Sequence, residues 1–119
     1  MATTGDNRIW AYDTRSDEIS ILYDDDFFSE PILRGVDNVT VSPRGDILVA
    51  EDGDDMQLVA LTPNGDVEPI LQVVGHDSSE ITGPAFDPSG TRLNFSSQRG
   101  ATGESSDGVA FEVSGPFTT

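Results

Sequence analysis

Residues 37–55, DNVTVSPRGDILVAEDGDD, form an apolar hairpin pattern with oxygen-bearing side chains at both ends, Asp37 and Asn38 before the first strand, Glu51 and Asp52 after the second. Hard cations such as calcium take six to eight oxygen ligands, and carboxylates crowded into a water-poor place repel one another unless a cation or a proton intervenes. Residues at the two ends of one hairpin face each other across the ladder, so one ion could be reached from both Asn38 and Glu51. The same residues would equally make the solvated end of an acidic hairpin. EDGDD lacks the alternating ligands and terminal Glu of an EF-hand loop.

Other segments offer chemistry more weakly. YDDDFFSEP at 23–31 gathers three carboxylates and reads as a solvated loop whose Phe27 and Phe28 pack or mark a contact between sheets. His76, in VVGHDSSE, has no partner set by spacing and is expected on a surface loop. SSQRGATGESSDG at 96–108 leads into no helix, so a mobile connection is expected there rather than a phosphate cradle. Trp10 and Tyr12 alternate with Ile9 and Ala11 and are expected to pack in the core or between blades. With no Gly-x-Ser-x-Gly elbow, Walker loop or His-Glu-x-x-His in the sequence, serine-hydrolase, nucleotide-binding and zincin readings have no support.

The 119 residues carry 22 acidic and 6 basic side chains, a net charge of -16. Phosphate backbones and anionic membranes would be repelled, so neither nucleic acid nor a membrane is an expected partner. Affinity for divalent cations, high solubility and work in salt are all compatible with the surplus. Without Cys there is no disulfide, thiolate metal site or thiol nucleophile. The opening MATTGDNRIWAYD lacks a basic segment followed by an apolar one, and no run approaches the ~18 apolar residues that span a bilayer. A start inside a strand suggests a piece of a longer protein whose targeting signal lies elsewhere.

These side chains must be positioned by strands, because no apolar period of 3.6 is present and short runs of Val, Ile, Leu, Phe and Tyr recur between Gly, Pro, Asn and Asp. Strands are expected at about 8–13, 18–23, 37–42, 46–51, 56–61, 66–73, 82–86, 92–97 and 108–113. SPRGD at 42–46, TPNGD at 62–66 and DPSGT at 87–91 place Pro where φ near -65° is wanted and Gly where φ is positive, so each closes a hairpin. NVTVSPRGDILVAED (38–52) lies over GPAFDPSGTRLNFSS (83–97), and RIWAYDTRSDEISIL (8–22) over QLVALTPNGDVEPIL (57–71). A period of ~40–50 residues built from two hairpins is the signature of a propeller blade. The expected fold is therefore all-β, antiparallel four-stranded blades of a β-propeller, about two and a half of them. Residues 1–36 end one blade, 37–78 make a full one and 79–119 most of a further one. Propellers close with about four to eight blades, so the chain is not a closed ring by itself, and its open edges invite self-association.

The segments DNVTVSPRGDILVAEDG, LVALTPNGDV, SEITGPAFDPSGTRLNFSSQRG and FEVSGPF, in this order, resemble the C-terminal part of the PhoX-type alkaline phosphatases over about residues 8–117. The resemblance implies a six-bladed propeller, exported from the cytoplasm, that hydrolyses phosphate monoesters with iron and calcium at the centre of the ring. It also implies that Asn38, in the family's Asp-Asn motif, contacts phosphate. Glu51 and Asp52, in its Glu-Asp-Gly motif, would supply calcium ligands, and Arg99, in SSQRG, the active-site basic residue. The family's centre draws further acidic, Arg and Cys residues from earlier blades that this chain does not have, so the 119 residues are expected to be inactive alone.

The expectation is thus a fragment of a metal-dependent phosphomonoesterase acting on a phosphate ester. A propeller lactonase of the gluconolactonase type, which sets Asn, Asp and Glu on one divalent ion, is the alternative enzyme, though GPAFDPSGTRLNFSS suits it less well. A non-enzymatic scaffold that binds proteins through its blade edges is the third reading.

Overall fold

A computed structural model of the chain describes residues 1–52 and 55–118. Its ten strands are β1 Ala2–Thr3, β2 Arg8–Asp13, β3 Glu18–Asp24, β4 Val36–Val41, β5 Ile47–Glu51, β6 Gln57–Leu61, β7 Val67–Gln72, β8 Ile81–Phe86, β9 Arg92–Ser97 and β10 Val109–Ser114. The nine expected strands are all there within a residue or so, and β1 is an addition. Each sheet is an antiparallel meander, β1-β2-β3, then β4-β5-β6-β7, then β8-β9-β10. These are consecutive propeller blades, one of four strands between two of three, and they do not close into a ring.

The three Pro-x-Gly turns share one bond and differ in a second. Ser42, Thr62 and Asp87 each accept from the turn glycine, with N–O distances of 2.9 Å; Ser42 and Thr62 donate their own N–H to the residue after that glycine, Asp46 and Asp66, and Asp87 donates one residue further on, to Arg92. Gly45, Gly65 and Gly90 have φ of 99°, 91° and 72°, values that only glycine adopts without strain.

Burial follows the period of two. On β5 and β6, Leu48, Ala50, Leu58 and Ala60 face the third sheet and pack with Ile81, Leu93 and Phe95. Val49, Val59 and Leu61 face the first sheet and pack with Ile9, Tyr23, Leu33 and Val36. The middle strands of the middle blade are buried on both faces, which is why they read as near-continuous apolar runs. Outer strand β7 carries Pro69, tolerated because an edge strand needs no second ladder.

Tyr12 departs from expectation, being 59% exposed with its hydroxyl donating to Asp17 at 2.6 Å. Ile19, its partner across the ladder, is equally exposed. Among the described residues no further sheet covers this face of the first blade, so apolar alternation there is not converted into core. Of the two phenylalanines expected to pack, Phe28 stacks on Tyr23 with ring centroids 5.5 Å apart while staying 44% exposed, and Phe27 is 71% exposed.

Candidate functional site

The innermost strands β4 and β8 lie side by side and each is bulged near its start. Register shifts between Val36 and Val39 on β4 and between Thr82 and Ala85 on β8. A bulge bends its strand and re-aims the side chains on it. Here the two bulges bring Asp37 and Asn38 against Thr82 and Gly83.

Asn38 spans the gap. Its Oδ1 accepts from Thr82 Oγ1 and from the Gly83 main-chain N–H, both at 2.9 Å, and its Nδ2 donates to Asp37 Oδ1 at 3.3 Å. Around it stand Asp37, Asp52 and Glu80. A hydrogen bond shared with Asp52 holds the Glu80 carboxyl above the usual carboxylate range, assisted by burial and opposed by Arg99. Burial and then the Asp52 charge push Asp37 up as well. Carboxyls brought close together repel one another when ionised, and a cation would relieve that repulsion.

Arg99 closes this chain of polar groups. One guanidinium nitrogen lies 3.6 Å from Glu80 Oε1, while Nε donates to Ser78 O at 3.0 Å. Its main-chain N–H donates to Ser79 Oγ at 2.8 Å. Ser79 in turn joins Ser97 Oγ and, through it, His76 Nδ1, each step 2.8 Å. His76 is therefore partnered, against the sequence expectation of a plain surface histidine, and its ring also lies 6.0 Å from that of Phe111. Ser97 is completely buried, so the pair supports the Arg99 segment and does not present a nucleophile. The loop that follows is tied down too, by Gly103 N–H to Arg99 O at 3.2 Å and Thr102 Oγ1 to Asp107 at 2.5 Å.

Of the residues singled out in the sequence, Asn38, Asp52 and Arg99 thus meet through Asp37 and Glu80. Glu51 does not join them. Strand alternation sends adjacent side chains to opposite faces, and Glu51 turns with its ladder partner Val36 toward the first blade. There it is 3% exposed and its Oε1 accepts from the Arg34 N–H at 3.4 Å. Gly53, the last residue of the Glu-Asp-Gly motif, lies outside the described residues.

Glu80 escaped the sequence reading altogether. Its signal was the repeat, since Gly83 is the counterpart of Asn38 and the starts of equivalent inner strands converge. Asp37, Asp52 and Glu80 are spaced more widely than the group of three carboxylates whose oxygens, among the described residues, all come within 4.8 Å of one another, which is Asp24, Asp25 and Asp26. That run is more built than a solvated loop: buried Asp24 accepts from Arg8 Nε at 2.7 Å and from the Asp26 N–H at 3.0 Å, and Asp25 from Asn7 at 3.1 Å. Arg8 holds the Asp24 carboxyl below its usual range.

The family model for alkaline phosphatase PhoX matches residues 14–101. The chain belongs to the PhoX alkaline phosphatase family. The match takes in both bulged inner strands and every residue of the polar chain from Asp37 to Arg99, and it gives this PhoX segment a phosphatase origin. No curated protein and no solved structure matches it significantly. No helix among the described residues of this PhoX chain is long and apolar enough to cross a membrane.

Proposed function

We propose that this PhoX segment supplies one side of a metal-dependent phosphomonoesterase centre, at the bulged ends of β4 and β8, and is inactive without the blades that complete the ring. The observation that supports the reading is the convergence of Asp37, Asn38, Asp52, Glu80 and Arg99 at one edge of the matched region. The donor set is all oxygen, which suits a hard dication such as calcium and offers no soft ligand specific for iron. Asp52, Asp37 and Glu80 would hold the cation, and Glu51, turned toward the first blade, would stand apart from it. Bound there, a cation supplies electrostatic stabilisation of charge developing on a transferring phosphoryl group.

The chain's own residues do the rest. The Asn38 Nδ2 and the Arg99 guanidinium are the donors that could orient phosphoryl oxygens, and Glu80 holds Arg99 in place. Crowding of three carboxylates beside these donors would repel a phosphate ester unless their charge is offset, which makes metal and substrate binding interdependent. Export from the cytoplasm belongs to the same reading and rests on family membership alone.

Calcium titration by calorimetry on the 119-residue chain, with Asp52→Asn and Glu80→Gln alongside, tests the metal half. Turnover of p-nitrophenyl phosphate by a ring-complete protein carrying Asn38→Ala or Arg99→Ala tests the phosphate half. Unchanged calcium affinity in both carboxylate variants, or unchanged turnover in both donor variants, would remove the corresponding assignment.

A further inference from the structure

The two ends of a carboxamide are almost identical in shape and opposite in chemistry, one an acceptor and the other a double donor. Which end of Asn38 faces the site therefore decides what the site can recognise. The Gly83 main-chain N–H can only donate, so the atom it meets at 2.9 Å must be the oxygen. Thr82 Oγ1 meets the same atom at 2.9 Å, and its hydroxyl is free to donate. On the other side the Asp37 carboxylate, 3.3 Å from the remaining end, can only accept when ionised and requires the NH2 group there. Three independent contacts fix one orientation.

We propose that Thr82, together with the Gly83 N–H, is a positioning residue that turns the Asn38 carboxamide so that the site receives its N–H donors and not its carbonyl. The inference rests on the phosphatase reading of this site for the ligand it names, a phosphate oxygen. Both lone pairs of Oδ1 are occupied by β8, so Asn38 is not a metal ligand; cation binding falls to the carboxylates. Nδ2 spends one proton on Asp37 and keeps the other, and that proton is the one an anionic oxygen can take. In a cluster already rich in carboxylates, a carbonyl turned toward the ligand would add repulsion instead. Among the described residues, Thr82 is the side chain that donates to Oδ1, and it sits at the β8 bulge, whose geometry aims it across the gap.

The test uses Thr82→Val, which keeps the shape and loses the donor, and Thr82→Ser, which keeps the donor. In the calcium-loaded chain with asparagine 15N-labelled, inorganic phosphate is the probe and the Asn38 NH2 resonances are the readout. Wild type and Thr82→Ser are expected to bind phosphate alike, and Thr82→Val about tenfold more weakly. Hydrogen exchange of the Gly83 amide reads the orientation without phosphate: it should be slow in wild type, faster in Thr82→Val and fastest in Asn38→Ala. Equal phosphate binding by the Val and Ser variants, or a Gly83 amide indifferent to Asn38→Ala, overturns the inference. The expected exchange pattern with no phosphate uptake by wild type overturns the assignment of phosphate to this half of the site instead, and with it the ligand named here, while turnover by the ring-complete protein tests the phosphatase reading separately.

Discussion

Asn38 and Gly83 occupy the same position in successive repeats, 45 residues apart, and they are hydrogen-bonded to each other, Gly83 N–H to Asn38 Oδ1 at 2.9 Å. Equivalent positions of a repeat do not ordinarily touch, because each repeat carries its own side chains the same way out. They touch here because the inner strands of successive blades converge and both bulge at this point. One repeat supplies a carboxamide where the next supplies bare backbone. The difference between the copies is what makes a contact across blades and a polar site beside it.

The interface between the second and third blades should dominate stability. Leu93 is completely buried and sits in the cluster with Leu48, Leu58 and Ile81. Leu93→Ala is expected to destabilise by about 2–5 kcal/mol, the usual range for a truncated core leucine. Val41→Ala, at a position 61% exposed, should change stability by no more than ~0.5 kcal/mol. Urea unfolding followed by tryptophan fluorescence gives both numbers, and similar losses in the two variants would contradict this account of the core.

Alkali should unfold the first interface through Tyr23. Burial, with the Asp25 and Glu51 charges behind it, raises its phenol to about 12, and its hydroxyl donates to Leu33 O. The folded state thus holds the proton more tightly than the unfolded chain, whose tyrosine titrates near 10. The stabilisation is complete below pH ~10 and is lost as pH rises toward 12. Tyr23→Phe should flatten that part of the stability curve, measured by thermal unfolding at stepped pH. A loss above pH ~10 as steep in the variant as in wild type would exclude Tyr23 as its cause.

Acid acts on the same blade, one residue further along β3 at Asp24. Arg8 lowers the Asp24 carboxyl, so its contribution is present above the unfolded value near 3.9 and disappears as pH falls through the lower folded value. Arg8→Met should therefore lower the melting temperature at pH 7 and differ little from wild type at the acid limit. An unchanged difference across the whole range would show that the Arg8 stem, and not its charge, is what matters.

The strands and turns were legible because their causes are local: Pro and Gly fix the hairpins, and alternation fixes which residues go inward. The site was legible only in part. Glu51 and Asp52 are neighbours in the chain and read as one metal-binding pair, but alternation parts them, one toward Arg34 and the other toward Glu80. Glu80 and the His76–Ser97–Ser79 relay depend on which sheets pack together, and no local pattern carries that. Tyr12 was misplaced for a related reason, since alternation says that a face is apolar and not whether anything covers it.

The turns of successive blades also meet, which gives a discriminating test of the repeat architecture. A Cβ on Gly90 would lie 2.4 Å from Pro43 Cγ, the proline of the turn one repeat earlier, whereas a Cβ on Gly65 would meet nothing within 4 Å. Both glycines have positive φ, 72° and 91°. Alanine at either position therefore takes on the strain of a left-handed backbone, about 1 kcal/mol. At Gly90 it must also displace a proline ring held in its own turn, adding about 1–3 kcal/mol of overpacking. Gly90→Ala should destabilise the chain clearly more than Gly65→Ala, and the excess should shrink when Pro43 is also replaced by Ala. Chemical denaturation of the four variants in a double-mutant cycle measures it. If Gly90→Ala and Gly65→Ala cost the same, or if Pro43→Ala leaves the Gly90 penalty untouched, the two turns are not in contact and the blades do not stack in the register described.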